Sequence, residues 1–288
     1  MSESVVADFP GRFYSHQVGG EPPNGRILLN KTQLVLVADD FKENIPVSNI
    51  FDVQVGEVPD ELRMYFNDTV TVAYEADDTR RFVAIEGDDK HIERFSTVLF
   101  KVLLNGTPTL VRHPARRGGR VTDEDPVTAT LDLQWEVIGF ESSGGARVEI
   151  DLDDVIGVDR SKRDIGAGSH PVVDFRHLTD GEAITTEAGI KSPRKTNLLG
   201  RYVRMRYSDI EEELADTTIT DEEEEILVAL YTAPGVSLSN VVDFNPQRLT
   251  MVLRGLREKG LIADTKEETT LTMKGKVVAG NRIEQVNT

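Results

Sequence analysis

The sequence predicts an α+β chain in which two strand-rich modules, each closed by a helix, precede a winged helix-turn-helix domain. Three observations predict this architecture: a strand pattern that occurs twice, an amphipathic helix after each occurrence, and a final series of three helices and a hairpin. The chain has 288 residues, of which 39% are hydrophobic. It can therefore bury two or three small cores, since a domain typically takes about 100–150 residues.

The first predicted module covers residues 1–105. Short strands separated by polar turns occur from Gly25 to Gly56 and again from Met64 to Ile85. A helix follows, with Asp88 as its N-cap and Asn105 at its end. Its apolar face is formed by residues at helical spacing, namely Ile92, Phe95, Leu99 and Val102.

Residues 106–120 are predicted to be a linker, because Pro108, Pro114, Gly118 and Gly119 interrupt any regular pattern. The segment is basic and has no acidic residue. Its cationic side chains are Arg112, Arg116, Arg117 and Arg120.

The second predicted module, residues 121–207, repeats the apolar pattern of the first. Gln134–Ile138 matches Gln33–Val37, and Ile150–Val158 matches Ile45–Val53. Repetition at this distance indicates a duplicated β module of roughly 100 residues, with chance similarity as the alternative. Ser192-Pro193 then indicates the start of the closing helix.

Charge predicts that this closing helix ends and a connecting helix, residues 208–218, begins. Lys191–Arg206 carries six basic residues and no acidic one, whereas Tyr207–Glu225 carries ten acidic residues and no basic one. In one helix the acidic end would oppose the macrodipole. Ser208 and Glu211 have the spacing of a capping box, which favours a new helix there.

Residues 219–288 are predicted to form the winged helix. Thr220–Glu223 is a capping box that starts the first helix, Ser237 can cap a short second helix through Val242, and Asn245-Pro246 starts the third. Two short strands, Leu261–Ala263 and Thr270–Thr272, would form the wing before a last helix from Met273.

Composition restricts location and chemistry. The net charge is −17, from 22 Arg and 11 Lys against 50 acidic residues. This balance suits a salt-rich cytoplasm, where salt screens the self-repulsion, and an ordinary acidic protein is the alternative. The absence of Cys excludes disulfides and thiolate sites. We see neither a signal peptide nor a run of roughly 20 apolar residues, and we expect a cytoplasmic protein without membrane insertion.

No motif for catalysis, cofactor binding or metal binding is recognisable. The chain has neither a phosphate-binding loop nor a nucleophile elbow. His170 and Asp174 would share a strand face while His177 points the other way, so these three residues do not converge on a metal. We therefore predict no catalytic, cofactor or metal site.

The candidate partner-binding residues are basic. They lie in two helices: Arg194, Lys195, Arg201, Arg204 and Arg206 in the segment Lys191–Arg206, and Arg248 and Arg254 in Pro246–Lys259. The basic segments Arg112–Arg120 and Lys191–Arg206 can dock an acidic partner or balance the acidic helices of the chain itself, and the sequence favours neither alternative. Arg248 and Arg254 are expected to contact a protein partner. The single Trp, Trp135, is predicted to lie in the core.

The order of these parts resembles that of the archaeal CheF family. The similar segments are the strands around Ile45–Val53, the segment His113–Gly119 and the helical run Asn197–Tyr207. The resemblance implies pleckstrin-homology-like β modules. It implies a non-catalytic adaptor that connects a phosphorylated CheY-type response regulator to the archaellum switch proteins, at the cytoplasmic base of the motor. We also expect a homodimer, because the apolar faces exceed what one copy covers.

The alternative function is a winged-helix transcription regulator, and an enzyme is a third possibility. Charge separates the first two, because DNA binding needs a basic face. Residues 219–288 carry eight basic and eleven acidic residues, a net charge of −3. We therefore predict no nucleic-acid binding.

Overall fold

The structure is a computed structural model that describes residues 4–166, 168–179, 182–215, 217–233, 238, 244–264 and 269–287, without the side chains of 206–213, 215 and 284–287. It divides into two compact units. The first unit comprises Met1–Pro108, Thr130–Trp135 and Ile190–Met205, and the second comprises Thr109–Ala129, Glu136–Gly189 and Arg206–Thr288.

The first sheet has seven antiparallel strands and is followed by helix α1, Asp89–Leu104. The Asp88 side chain accepts a hydrogen bond from the His91 amide, which is the predicted N-cap. A 3₁₀ turn, Val47–Asn49, separates the fourth strand from the fifth. The strands are β1 Ala7–Ser15, β2 Asn24–Leu29, β3 Gln33–Ala38, β4 Phe41–Pro46, β5 Ile50–Val55, β6 Val70–Ala76 and β7 Thr79–Glu86, in the order β4-β3-β2-β1-β7-β6-β5.

The second sheet repeats this topology and is followed by helix α2, Pro193–Ala215. Its order is β12-β11-β10-β8-β15-β14-β13, with the short β9 paired to β8. The strands are β8 Thr107–Arg117, β9 Arg120–Val121, β10 Val127–Leu133, β11 Val137–Ser142, β12 Arg147–Asp151, β13 Val155–Asp164, β14 Ser169–Thr179 and β15 Glu182–Gly189.

The two segments from which a duplication was predicted lie at equivalent positions. Ile45–Val53 and Ile150–Val158 each run from the fourth strand of a sheet, through a 3₁₀ turn, into the fifth. The first strand of each sheet also lies between the second and the last. The repeated topology is what a duplicated β module predicts.

The prediction of a linker at residues 106–120 is wrong, because most of this segment is β8. Thr107, Thr109 and Val111 alternate as buried residues along the strand, which lies between β10 and β15. Gly118 and Gly119, with φ of 51° and 79°, form the turn into β9. Pro108 and Pro114 therefore lie within strand β8, and Gly118 and Gly119 form the hairpin at its end.

The prediction of a separate helix at residues 208–218 is also wrong, because α2 continues unbroken to Ala215. Opposed charges at a helix end cost only about 0.3–1 kcal/mol each and are screened by salt. A break would leave up to four amides and four carbonyls without intrahelical partners at the new termini. Continuity of the backbone hydrogen bonds outweighs the charge pattern.

The C-terminal segment contains α3 Asp221–Thr232, α4 Pro246–Glu258, the antiparallel pair β16 Ile262–Asp264 and β17 Thr269–Leu271, and α5 Met273–Asn287. The predicted capping box at Thr220 and Glu223 is present. The predicted short helix from Ser237 through Val242 lies, apart from Leu238, outside the described residues. These elements share one core with Ile156 of β13, formed chiefly by Ile226, Leu227, Leu230, Val252, Leu256, Leu261 and Ala279.

Trp135 does not lie in the core. It follows β10 in the turn before β11 and is 39% exposed. The buried apolar positions nearby are Leu133 before the turn and Ile138 after it. The prediction placed Trp135 within the strand, whereas strand pairing starts again only at Val137.

None of the helices in the described ranges combines the length and the apolar character needed to span a bilayer.

Two histidines share one hydroxyl group inside the second sheet. His113 Nδ1 and His177 Nε2 lie 2.7 and 2.9 Å from Thr186 Oγ1, and the two rings are stacked with centroids 5.8 Å apart. Burial, with the nearby His113, lowers the pKa of His177 to about 4, and burial also lowers the pKa of His113. Both rings are therefore neutral at pH 7.

This pair predicts a loss of stability in acid. The folded-state pKa of His177 lies below the unfolded value of about 6.5, so the unfolded chain binds more protons between these values and the free energy of unfolding falls as the pH decreases from about 6.5 to 4. The fall for His177 is roughly 3 kcal/mol. Denaturant unfolding across this range should show a shallower pH dependence in His177→Gln, and an unchanged one in His16→Gln, whose ring is exposed. Equal slopes in all three proteins would contradict the assignment.

Candidate partner-binding site

Most described arginines are bound to carboxylates of the chain itself, because acidic residues outnumber basic ones by 50 to 33. An arginine with no carboxylate partner is therefore informative in this protein. Representative ion pairs are Arg26–Asp8, Arg117–Glu182, Arg201–Asp52, Arg248–Glu222, Arg257–Asp264 and Arg282–Glu224.

Strand register brings two other arginines to one face of the second sheet. Arg116 of β8 lies opposite Thr185 of β15, and Thr185 lies opposite Arg176 of β14. Directly opposed residues have Cβ atoms about 4.5–5.5 Å apart, so this row places two guanidinium groups two strands apart on the same face.

The neighbouring row on that face is electrically balanced. Arg112 lies 3.5 Å from Glu187, and Arg163 bonds both Glu187, at 2.9 Å, and Asp174. The hydrogen bond to Asp174 and the one to Glu187 raise the pKa of Arg163. Two arginines and two carboxylates thus neutralise one another, which leaves the row of Arg116 and Arg176 as the more positive one.

A cavity of about 560 Å³ opens at the positive row. We call it the basic pocket and define it by Arg116, Arg120, Arg176, Asp159 and Tyr231. Arg116 and Arg120 are exposed, and neither pairs with a carboxylate in the part of the chain that the structure describes. Arg176 lies 3.7 Å from Asp159. The remaining wall is formed by the hairpin Gly118-Gly119 and by Ile156, Ala183, Ile184, Thr185, Gly280 and Ile283.

Two glycines allow this packing. A Cβ atom at Gly157 would overlap the guanidinium of Arg176, and one at Gly280 of α5 would come within 3.0 Å of the Ile156 side chain. Gly157 therefore provides the space that Arg176 occupies beside the pocket. Gly280 lets α5 approach β13 closely enough to form a wall.

Tyr231 of α3 lines the basic pocket and carries a buried polar group. The residue is 5% exposed, and its hydroxyl group has no hydrogen-bond partner among the described residues. Burial raises the pKa of Tyr231, while the charge of Arg176 opposes that rise. The phenol is therefore protonated at neutral pH and can donate a hydrogen bond.

This arrangement can bind an anionic group. Guanidinium groups form paired hydrogen bonds with carboxylate or phosphate oxygens, and the Tyr231 hydroxyl adds a neutral donor. The apolar wall reduces the competition from water. Three guanidinium groups face one carboxylate in the pocket, so a net positive charge remains for a ligand.

The predicted residues of α2 are mostly engaged within the first unit. Arg194 donates to the carbonyl oxygens of Val47 and Ser48, and the Lys195 amine lies 2.9 Å from Thr107 Oγ1. Burial lowers the pKa values of both residues. Arg201 bonds Asp52 through two contacts of 3.2 Å. Arg204, in contrast, is exposed. The side chain of Arg206 lies outside the described residues.

The predicted residues of α4 bond carboxylates in the second unit. Arg248 forms a two-point contact with Glu222, and Arg254 bonds Glu258 one turn further along the helix. Both arginines remain substantially exposed, so their role in partner binding stays a prediction.

The sequence identified the basic segment Arg112–Arg120 but missed Arg176 and Tyr231 as its partners in a pocket. No local signal marks them, because only strand register and the packing of α3 and α5 bring them there. The histidine grouping considered for a metal is separated: Asp174 binds Arg163, whereas His177 is 2% exposed and binds Thr186. Across the described ranges, no three His, Asp or Glu residues are placed to hold a metal ion.

Fold and pocket define a protein of repeated, mostly antiparallel sheet modules with a surface suited to acidic ligands. Residues 5–209 match the family model of the archaeal chemotaxis signal transduction system protein F. The chain is 41% identical over 289 residues to taxis protein CheF2 of Halobacterium salinarum strain R1, covering 100% of both chains. It is 23% identical over 295 residues to taxis protein CheF1 of the same strain, covering 99% of each.

This chain therefore belongs to the archaeal CheF family, as the sequence resemblance predicted. Membership supports a role in archaeal chemotaxis signalling, and the related proteins are named as taxis proteins.

The contact between Arg201 and Asp52 can be tested by charge reversal. Arg201→Glu places two carboxylates together, and we expect the free energy of unfolding to fall by about 1 kcal/mol. The double variant Asp52→Arg with Arg201→Glu should recover most of that loss in denaturant unfolding. Arg204→Glu, an exposed change on the same helix, serves as the control. A double variant no more stable than Arg201→Glu would contradict the contact.

Proposed function

We propose that this protein is a non-catalytic adaptor that binds a phosphorylated CheY-type response regulator and passes its state to the archaellum switch proteins, at the cytoplasmic base of the motor. The observation that carries the proposal is the match to taxis proteins along the full length of the chain. It is supported by the basic pocket, where Arg116 and Arg120 pair with no carboxylate of the described residues, in a chain that is itself strongly acidic.

Preference for one state of the regulator needs no direct contact with its phosphoryl group. Phosphorylation shifts a regulator between conformations, and an adaptor responds if it binds one conformation better than the other. A tenfold preference corresponds to about 1.4 kcal/mol, which a few surface contacts can supply.

We also propose that the two sheet modules are pleckstrin-homology-like and that the C-terminal segment is a winged helix. Seven antiparallel strands followed by a helix support the first assignment, and three described helices with the β16–β17 hairpin support the second. In this proposal residues 1–105 and 219–288 are interaction modules, of which 219–288 shares a core with β13. The second sheet module begins at β8 rather than after residue 120.

The transcription-regulator alternative gains no support from α4. Its arginines are bound to carboxylates in the same unit, and DNA phosphates would have to displace those carboxylates. The pairs are Arg248–Glu222, Arg254–Glu258 and Arg257–Asp264. We therefore expect α4 to contact protein and not nucleic acid.

We further propose a homodimer. Several large apolar side chains are exposed in each copy, and closed twofold pairs are the commonest way to cover such groups. Examples are Met64, Val121, Trp135 and Met251. Light scattering in concentrated KCl should give the mass of two chains at tens of micromolar, and a 32.0 kDa species would contradict the dimer.

The adaptor function can be measured directly. Isothermal titration calorimetry of the full chain with a CheY-type regulator, in concentrated KCl, should show at least tenfold tighter binding to the phosphorylated form, or to a stable phosphoryl mimic, than to the unmodified form. A regulator variant without the phosphorylatable aspartate is the matched control. Equal affinity for both forms would contradict the relay.

A further inference from the structure

We propose that the basic pocket is the docking site for an acidic segment of the response regulator, with a carboxylate group of that segment seated between Arg176 and Tyr231. The inference deepens the proposed function and rests on it, because it assigns a place on this chain to the contact.

Charge complementarity favours an acidic ligand in this pocket. With a net charge of −17, the chain as a whole repels an acidic protein, so a contact requires a local exception. Arg116 and Arg120 provide one at the β8–β9 hairpin, since both are exposed and neither pairs with a carboxylate within the described ranges. In concentrated salt only close contacts retain their strength, which favours direct guanidinium–carboxylate bonds.

The Tyr231 hydroxyl group also favours an acceptor at this place. It is buried, belongs to a residue that lines the pocket, and bonds none of the described residues. A buried donor without an acceptor is unfavourable, so the protein gains by admitting an acceptor there. Arg176 lies near enough for its charge to act on Tyr231, so a carboxylate beside the two would accept a hydrogen bond from the hydroxyl group and be attracted by the guanidinium group.

The size and the walls of the pocket suit an acidic side chain. A volume of about 560 Å³ exceeds what one small anion needs and suits a side chain together with its neighbours. Ile156, Ile184 and Ile283 form an apolar wall that can cover the methylene groups of an Asp or Glu side chain. Contacts made away from water hold more strongly than exposed ion pairs.

The test uses the full chain, with the phosphorylated regulator as the probe, in calorimetry at high KCl. We expect the double variant Arg116→Glu with Arg120→Glu to weaken binding at least tenfold. Tyr231→Phe removes one donor and keeps the ring, and we expect it to weaken binding roughly three- to tenfold. Arg80→Glu is the matched control, because Arg80 is an exposed arginine on β7 of the first sheet, and its affinity should equal that of the unmodified chain.

The possible results separate the two claims. If the unmodified chain binds neither form of the regulator, the proposed function and this inference both fail. If it binds the phosphorylated form and the double variant binds equally well, the pocket assignment is wrong while the adaptor function stands.

Two further results would also overturn the assignment. One is an equal loss in Arg80→Glu, which would indicate a general charge effect. The other is an unchanged affinity in Tyr231→Phe, which would show that no carboxylate of the regulator bonds the Tyr231 hydroxyl group. Thermal unfolding of each variant checks its fold, and Arg116→Gln with Arg120→Gln replaces the glutamate pair if that pair does not fold.

Discussion

The pairing of the first strand of each sheet with its last strand is the constraint on which the structure depends. β1 pairs with β7 in the first sheet, and β8 pairs with β15 in the second. In the first sheet this pairing joins β2, β3 and β4 to β5 and β6. In the second sheet it joins β10, β11 and β12 to β13 and β14. The entropic cost of loop closure rises only slowly with loop length. Burial of the core of the sheet can therefore offset the cost of a pairing across some 70 residues.

The same pairing builds the basic pocket. β8 runs from Thr107 to Arg117, and its register against β15 sets Arg116 opposite Thr185, beside Arg176. The turn at Gly118 and Gly119 then brings Arg120 back along the strand. The segment predicted to be a basic linker is therefore part of the sheet, and strand pairing sets the backbone positions of its arginines.

The sequence predicted correctly those features that depend on contacts between residues close together in the chain. The caps at Asp88, Thr220 and Asn245 were readable because a side chain and an amide three residues later form them. The repeat could be recognised because the apolar residues around the 3₁₀ turn have the same spacing in both sheets. The sequence failed at β8, at the continuity of α2 and at Trp135, where non-local pairing or small electrostatic terms decide the outcome. Arg176 and Tyr231 are 55 positions apart in the chain, so the pocket could not be predicted from spacing.

Charge explains why basic residues were hard to interpret from sequence. In a chain with more carboxylates than cations, a basic segment can serve the fold or a partner, and the sequence of Lys191–Arg206 is compatible with both. The geometry separates them residue by residue: Arg194 and Arg201 hold α2 to the first sheet, whereas Arg116 and Arg120 bond no carboxylate of the described chain. Arginines are therefore better judged here by their partners than by their clustering.

Hydrogen–deuterium exchange of the full chain, with and without the phosphorylated CheY-type regulator, tests the central claim most directly. The account predicts slower exchange in the complex for amides of the β8–β9 hairpin, residues 116–121, and for the stretch of α5 around Gly280, with little change in β3 and β4. Protection confined to β3, β4 or α4, with the hairpin unchanged, would contradict it.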